Sequence, residues 1–519
     1  MSVSRVFPES HLKDSSAAQY VPLSILDSTV GNFAPTCATW IYDPPNAKHT
    51  LSTQQLLLAL QRTLNAYPHW AGQLQLVHYN ATGDHTQRFG RLSVLYGIQS
   101  DPGVEVIIAH RPETISSFVP TATQRTADPG WWNAAQAPLL ELVPASSPLA
   151  LHDLIHYEGL PAMMVQFTTF GCGGLATSIK LAHPLADAQT LINFVHDWAA
   201  VNRALITGEQ LPSLCPLFDP GRLDRAASGN IDAPEPDPRL IKVARDLPLH
   251  YYDLWASSDD CPPSMAQATK IPAGLNTSTI IQGNPLPWLE WDHSAPVSHY
   301  LVSFTADELK SMWEEASSDS EVPISRLDAL LAHVWILIIR ARGLSHDQQP
   351  IYLDVTLGVR SRLSSPLPET FVGSPIMLAK VTTTGVQSIG KIALSIRSTL
   401  SKFNSSSIAA MLHDFAFEIS PHRLWNAFLG RRNTIVTSWL RLNAYGVDFG
   451  TGEPRFVDAF MPNVDGCVQL MENGNVGDTK KSNWYDGTVN VSLHLRTDVM
   501  EKLLDDPELR KYRNNIKTY

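Results

Sequence analysis

The sequence predicts a mixed α/β (α+β) protein with two domains. The chain of 519 residues is too long for a single hydrophobic core, so two domains of roughly 200 residues or more are expected. A hydrophobic share of 44% and a charged share of 17% are those of a globular protein that can bury two cores. Helical and strand-like patterns alternate without a regular βα order, which favours mixed-sheet domains over a Rossmann arrangement.

The individual elements are predicted from the spacing of apolar residues. In chain order they are a helix over 52–66, a strand over 161–169, a strand over 298–304, and amphipathic helices over 306–317 and 327–342. Ser52 is the candidate N-cap of the first helix, and Pro68 lies just beyond its end. No repeat of 20–50 residues is visible.

Proline marks the break between the two domains. The stretch from about 211 to 300 holds 13 of the 37 prolines and has little sustained period. Such a composition is typical of a long crossover or linker. We therefore predict an N-terminal domain over 1–210, a Pro-rich crossover over 211–297 and a C-terminal domain over 298–519.

Charge and cysteine content limit the possible partners and the compartment. A net charge of −11 argues against nucleic acid and against an anionic membrane surface. The five cysteines are widely spaced, with neither a C-x-x-C pair nor a zinc spacing, which indicates free thiols and no metal site. The first residues lack the apolar core of a signal peptide, and the longest apolar stretch, 327–339, is too short to span a bilayer. A cytoplasmic location is the prediction.

The most informative motif is His183-Pro184-Leu185-Ala186-Asp187, where an extended apolar stretch gives way to a helical pattern. A histidine at such a junction can project a ring nitrogen into a cleft, and a carboxylate four positions on can reach back toward the local backbone or a cation. This is the layout of a positioned general base. A single H-x-x-x-D match is common by chance, so further segments must support it.

Further segments along the chain resemble the BAHD family of acyl-CoA-dependent acyltransferases. The family has an HxxxD motif near the middle of the chain and a DFGWG motif near the C-terminus, and Asp448-Phe449-Gly450-Thr451-Gly452 resembles the second. Other matching segments run from about residue 20 to 512: Leu23-Ser24-Ile25-Leu26-Asp27, Arg360-Ser361-Arg362-Leu363, Phe371-Val372-Gly373 and Thr437-Ser438-Trp439. The set is far more specific than either motif alone.

The resemblance implies a fold and a reaction. The fold is chloramphenicol acetyltransferase-like, with two similar mixed-sheet domains flanked by helices, joined by a long crossover loop and separated by a solvent channel. The reaction is direct acyl transfer from acyl-CoA, with His183 as general base and without a covalent acyl-enzyme. Thr437 is implied as the hydroxyl donor to the oxyanion, and Trp439 as a residue that shapes the acceptor side.

The resemblance also implies supporting residues. The family carboxylate corresponding to Asp187 points away from the cleft and pairs with an arginine of the "RSR" block, so Arg362 is the candidate partner and the role is positional. Asp448, Gly450 and Gly452 are implied to support the fold away from the reacting atoms. Thr451 departs from the family tryptophan and Ala188 from the usual glycine. Neither change is expected to alter the chemistry.

The substrates are predicted only by class. The resemblance implies acyl-CoA as co-substrate, with acetyl-CoA expected from the likeness to fungal members that acetylate secondary metabolites. No permanently bound cofactor is expected. The acceptor is a small-molecule alcohol or amine, and the chain is expected to be a monomer. The acceptor site is a candidate location for several tryptophans: Trp131, Trp132, Trp255, Trp288 and Trp291.

Two other classes of function stay open at the level of sequence. A condensation-type enzyme acting on carrier-protein thioesters shares the fold but carries two adjacent histidines, whereas Ala182 precedes His183 here. A non-catalytic ligand-binding relative would be expected to have lost His183 or Asp187. Cys172 as a nucleophile is disfavoured because no cation stands beside it in the sequence. The pair His413-Asp414 is interpreted as part of a solvated helix face.

Overall fold

The computed structural model describes residues 1–10, 18–45, 51–80, 82–88, 90–145, 147–150, 156–256, 260–263, 265–266, 268–272, 275, 278, 280–474 and 483–514. Its β-strands are β1 (Ser2–Val6), β2 (Gln19–Pro22), β3 (Thr36–Tyr42), β4 (Gln73–Leu76), β5 (Leu92–Tyr96), β6 (Val104–Arg111), β7 (Trp131–Asn133), β8 (Met163–Phe170), β9 (Leu175–Leu181), β10 (Tyr252–Asp253), β11 (Val297–Phe304), β12 (Ile351–Gly358), β13 (Ile376–Thr383), β14 (Leu424–Trp425), β15 (Asn433–Ser438), β16 (Phe456–Ala459), β17 (Cys467–Glu472) and β18 (Val489–Arg496).

The α-helices of the described residues are α1 (Ile25–Thr29), α2 (Thr53–Leu64), α3 (Ile115–Phe118), α4 (Ala122–Thr126), α5 (Ala188–Thr207), α6 (Gly221–Asp224), α7 (Pro238–Arg245), α8 (Ala306–Ser318), α9 (Arg326–Ala341), α10 (Ile389–Ser401), α11 (Ser405–Ala416), α12 (Thr497–Leu504) and α13 (Lys511–Asn514). No helix in this part of the chain is both long and apolar enough to cross a membrane.

Two large mixed sheets organise the protein. The first has the strand order β1-β6-β8-β9-β3-β16, and the second has the order β13-β12-β15-β17-β18-β11-β7. The pairs β6–β8, β12–β15 and β15–β17 are parallel, while their neighbours in both sheets are antiparallel. The mixed-sheet fold class predicted from the sequence is therefore confirmed.

Each sheet borrows an outer strand from the other half of the chain. β16, from the second half, pairs with β3 at the edge of the first sheet. β7, from the first half, pairs with β11 at the edge of the second sheet. The domain boundaries predicted at 210 and 297 stay a prediction, but any boundary must allow for these two exchanged strands.

Each sheet has its own hydrophobic core against helices. α2 and α5 pack together beside the first sheet, where Trp40, Trp70 and Trp198 are fully buried. The second core surrounds α9, a helix in which most residues are buried and few contact solvent. α9 begins with a capping box in which the side chains of Ser325 and Asp328 bond each other's backbone N–H, satisfying donors that a helix start leaves unpaired.

The elements predicted from apolar spacing are confirmed to within a few residues. The predicted helix 52–66 is α2, the strands 161–169 and 298–304 are β8 and β11, and the helices 306–317 and 327–342 are α8 and α9. Ser52 does stand at the N-cap position, but its side chain makes no capping hydrogen bond.

The Pro-rich crossover is anchored to the second half of the chain. α7 packs on α11, and β10 pairs with β14. His413 and Asp414 are buried in this contact, so their interpretation as a solvated face is wrong. The His413 ring accepts a hydrogen bond from the backbone N–H of Asp237 at 2.9 Å, and Asp414 pairs with Arg245 at 2.7 Å. The crossover helix α7 covers this face of α11, and the helical pattern of α11 alone gives no sign of that packing.

Candidate active site

His183 stands where β9 ends and the chain turns toward α5. Residues His183–Leu185 form a 3₁₀ turn with Pro184 in its first turn, where the fixed φ of proline suits helical geometry and its missing N–H costs no hydrogen bond. His183 is half-buried and lines a cavity of about 930 Å³ between the two sheets. Its ring meets the edge of Phe33 at 5.5 Å, and Nδ1 lies 2.9 Å from the Oγ of Ser374.

The environment of His183 favours the neutral imidazole. Burial lowers its pKa below the ordinary 6.5, because the charged form loses hydration. A hydrogen bond to its own backbone carbonyl and the charge of Asp187 oppose this effect without reversing it. At neutral pH the ring is therefore unprotonated and able to accept a proton.

Asp187 lies at the cavity, but its carboxylate is engaged in contacts that hold the turn. It caps α5, because its Oδ1 accepts the backbone N–H of Thr190 at 3.0 Å. Its carboxylate also forms a two-pronged ion pair with Arg360, in which Oδ1 lies 2.9 Å from one guanidinium nitrogen and Oδ2 bonds the other. The side chains are only 7% and 13% exposed, so this is a buried pair.

The predicted pairing of Asp187 with Arg362 is wrong. Arg360 and Arg362 lie two positions apart in a 3₁₀ turn, where successive side chains point about 120° apart, so the two arginines face different directions. The guanidinium of Arg362 instead donates to the backbone carbonyls of Leu400 and Phe403, both at 3.0 Å. Arg362 therefore fixes the loop after α10, and Arg360 fixes the turn that carries His183.

Thr437 and Trp439 approach the same cavity from the second sheet. Thr437 lies in β15 and lines the cavity, and Trp439 follows the strand and lines it as well. Gln469 holds the Trp439 indole, with its amide oxygen 3.2 Å from Nε1 while its nitrogen donates to the carbonyl of Ala459 at 2.8 Å. The structure thus brings His183, Thr437 and Trp439 to one cavity from two different sheets.

The loop carrying Asp448 is built around its own backbone. The Asp448 carboxylate accepts the N–H groups of Gly450 at 2.7 Å and Gly452 at 2.8 Å. Both glycines have a positive φ, +112° and +103°, a conformation that side-chain-bearing residues rarely adopt. None of the three lines the cavity. Their role as structural support remains a prediction.

Part of the cavity wall was missed from the sequence. Trp288 and Trp291 from the crossover do line it, as the tryptophan prediction allowed, whereas Trp131 and Trp132 lie in β7 outside it. Trp255 packs against the cluster that contains Trp288 and Phe428 but does not line the cavity. No sequence signal pointed to Phe33, Trp425 and Phe428 as lining residues. None pointed to the contact between Ser374 and His183 either, because it joins segments far apart in the chain.

Comparison with known proteins identifies the class. The sequence profile of the Transferase family matches residues 143–231 and 294–510, which is more than half of the chain. The chain is 29% identical to the acyltransferase AFT15-1 of Alternaria alternata over 491 residues, covering 91% of this chain and 90% of that protein. It is 24% identical to the acyltransferase abl6 of Leptosphaeria maculans, covering 98% and 97%.

A solved structure agrees with the fold. F. graminearum TRI101 complexed with coenzyme A and deoxynivalenol superposes with a TM-score of 0.64 at 15% identity, covering 95% of this chain and 99% of that one. The chain therefore belongs to the Transferase family, that of the BAHD acyltransferases, and has their chloramphenicol acetyltransferase-like fold. The resemblance found in the sequence motifs is confirmed, and acyl transfer is the class of activity.

Proposed function

We propose that this protein transfers an acyl group, with acetyl as the proposed group, from acyl-CoA to a hydroxyl or amine of a small secondary metabolite. The observation that carries the proposal is the shared cavity, because His183 reaches it from the first sheet and Thr437 from the second. A base and a hydroxyl donor on facing walls are what attack on a thioester requires. A monomeric, cytoplasmic enzyme remains our expectation from the sequence.

The proposed reaction is a single direct transfer. His183 accepts the proton of the acceptor hydroxyl as its oxygen bonds to the thioester carbon. The resulting oxyanion accepts a hydrogen bond from the Thr437 hydroxyl, a contribution of roughly 3 kcal/mol for one such donor. The carbon–sulfur bond then breaks, and the leaving CoA thiolate takes the proton back from His183. No group of the protein is acylated.

The cavity wall supports an apolar acceptor. Trp288 and Trp291 stack with ring centroids 6.2 Å apart, and Phe428 packs against both at about 6 Å. Phe33 joins Trp425 edge-on at 5.4 Å and thereby connects His183 to this side of the cavity. Such a wall suits a ring system that buries apolar area and presents one polar group to the base. The acetyl group rests on the likeness to fungal members.

The proposal is tested by pairing donors with acceptors. We expect free thiol to be released from acetyl-CoA only when a hydroxylated acceptor is present, and we expect mass spectrometry to find that acceptor heavier by one acetyl group. A panel should combine polycyclic alcohols, aryl alcohols and polyamines with acyl-CoAs of graded length. Transfer only from carrier-protein thioesters, with every acyl-CoA inert, would contradict the proposal.

Direct transfer makes a separate prediction about the cysteines. Cys172 follows β8 and is separated from His183 by the length of β9, seven residues or roughly 23 Å of strand, so the two cannot act as a pair. The cysteines that do line the cavity are Cys37 and Cys467, and burial raises the pKa of each thiol to about 12. They are therefore un-ionised and poor nucleophiles at neutral pH.

We expect intact-mass measurement of the wild-type protein with acyl-CoA alone to show no added acyl group. Initial rates with both substrates varied should give intersecting double-reciprocal lines. Cys172→Ala should keep most of the activity and serves as the control away from the cavity. Parallel lines together with an acylated protein, lost on replacing Cys37 or Cys467, would show a covalent route instead.

A further inference from the structure

The residue that follows the family-like segment Phe371-Val372-Gly373 touches the proposed base directly. Ser374 is fully buried in the segment that leads into β13, and its Oγ lies 2.9 Å from Nδ1 of His183. The two residues are 191 positions apart in the chain. This contact joins the second half of the chain to the turn after β9. The turn is therefore held by Ser374 as well as by the ion pair between Asp187 and Arg360.

Ser374 is itself fixed from behind by a buried carboxylate. Its backbone N–H donates to Oδ1 of Asp27 at 2.6 Å. The other oxygen of Asp27 accepts from the backbone N–H of Ser24 at 3.1 Å and from its hydroxyl at 2.6 Å, in the capping box of α1. Asp27 is 1% exposed. Three segments of the chain therefore meet at Ser374 with little freedom to move.

The residue before Ser374 joins the same arrangement. Gly373 accepts the backbone N–H of Asp187 at 3.1 Å and the hydroxyl of Thr190 at 2.9 Å. Its φ is +148°, and an added Cβ would stand 3.0 Å from Oδ1 of Asp27. Glycine is required there for the backbone to pass between the carboxylate and the turn.

We propose that Ser374 is a positioning residue that holds Nδ1 of His183 and so leaves Nε2 to face the reacting hydroxyl. This inference rests on the proposed role of His183 as base. A neutral imidazole has one N–H, and the hydrogen bond made by one nitrogen decides which nitrogen remains free to accept a proton. Without a partner at Nδ1, neither the proton's place nor the angle of the ring is fixed.

The proposed role sets the direction of the hydrogen bond. A neutral imidazole has a single N–H, so if Nε2 is to accept a proton, the hydrogen stands on Nδ1, which donates it to the Ser374 Oγ. When Nε2 takes the proton from the acceptor hydroxyl, the ring becomes positive and the Nδ1–H bond strengthens.

A serine at this position differs in effect from a carboxylate. A hydroxyl orients the ring without adding a negative charge, so it does not raise the pKa of His183. The charged groups around the ring are Asp187, its partner Arg360 and, behind Ser374, Asp27. Because the Asp187 charge is shared with Arg360, the ring stays ready to accept a proton at neutral pH.

The test compares Ser374→Ala with a matched buried serine. Ser93 in β5 is equally buried, and its hydroxyl makes no hydrogen bond within the described part of the chain, so Ser93→Ala removes the same atom without breaking a hydrogen bond. We expect Ser374→Ala to lower kcat by about 10- to 100-fold with a nearly unchanged KM for acyl-CoA. Ser93→Ala should change neither, and Ser374→Thr, which keeps the hydroxyl, should recover most of the rate.

Two further readouts separate positioning from a general loss of structure. ¹⁵N NMR of histidine-labelled protein, with the His183 signals assigned by their absence in His183→Ala, should show the Nδ1–H form in the wild type and its loss in Ser374→Ala. In the His183→Ala background, Ser374→Ala should cost no further activity. If Ser374→Ala unfolds, Ser374→Cys, with a weaker acceptor of similar size, should give an intermediate kcat.

The outcomes for the two proposals are distinct. Wild-type kcat and an unchanged ¹⁵N spectrum in Ser374→Ala, beside an inactive His183→Ala, would overturn the positioning role and leave the base in place. An active His183→Ala would overturn the base itself. Failure of Ser374→Thr to recover activity in a folded protein would show that the hydroxyl is not what matters.

Discussion

Replacing His183 by alanine is expected to lower kcat by about 10²–10⁴-fold in a protein that remains folded. The side chain is half-buried at the cavity, and its removal takes away one hydrogen bond to Ser374 and one edge contact with Phe33. These losses are small for a chain with two cores, whereas a proton acceptor cannot be replaced by a methyl group. Turnover in a thiol-release assay and thermal unfolding measure the two effects separately.

The pH dependence of kcat gives a second check on the same residue. A general base works only when deprotonated, so kcat should fall as the pH drops through the pKa of His183. Burial holds that pKa below 6.5, and the acidic limb should therefore have its midpoint below 6.5. The limb should be absent from the residual activity of His183→Ala.

The matched control is His110→Ala, which removes an exposed histidine from β6. We expect this variant to keep the wild-type kcat and the same acidic limb. A folded His183→Ala protein with near-wild-type turnover would exclude His183 as the base, whatever the pH profile of the wild type.

Loss of the ion pair between Asp187 and Arg360 is expected to lower the stability of the protein strongly. Removing either partner leaves the other as a buried charge without its counterion, so Asp187→Ala and Arg360→Ala should each lower the free energy of unfolding by about 3–5 kcal/mol. The double variant should lose less than the sum, because it leaves no such charge. Denaturant unfolding of the four proteins in the cycle measures the coupling.

Arg362→Ala provides the comparison in that cycle. Within the described residues Arg362 bonds two backbone carbonyls and no carboxylate, so the effect of Arg362→Ala should add to that of Asp187→Ala without coupling. Asp187→Ala and Arg360→Ala should each also lower kcat, because the turn that carries His183 is then held less firmly. Strict additivity for Asp187 and Arg360, or a coupling that appears only with Arg362, would show that the ion pair does not hold the turn.

The sequence predicted those features that depend on local pattern. Helices and strands such as α9 and β11 repeat their apolar residues with a period set by their own backbone, and His183 stands in a motif of five residues. The partner of Asp187 could not be chosen, because two arginines in one short turn differ only in the direction they face. That direction depends on where the turn sits against α5.

The rest of the site depends on contacts between distant segments. The aromatic wall exists because β10 of the crossover pairs with β14, about 170 positions later. Ser374 directly follows the family-like segment Phe371-Val372-Gly373, but its contact with His183 appears only when the segment before β13 meets the turn after β9. His413 and Asp414 look like surface residues in their own helix, and only the packing of α7 reveals that they are buried.

The exchange of outer strands has a consequence for how the protein is made. β3 leaves the ribosome early, but the strand that covers its edge, β16, is more than 400 residues behind it. The indole of Trp40 and the hydroxyl of Tyr42 donate to the carbonyls of Ala444 and Val447, so these hydrogen bonds also cannot form until more than 400 further residues have been synthesised. Until then the nascent chain presents an unpaired, apolar sheet edge, the kind of surface on which chains join one another. During biosynthesis, completion of the chain therefore competes with self-association of the exposed edge. We expect chaperones, or slow expression at low temperature, to increase the yield of folded protein.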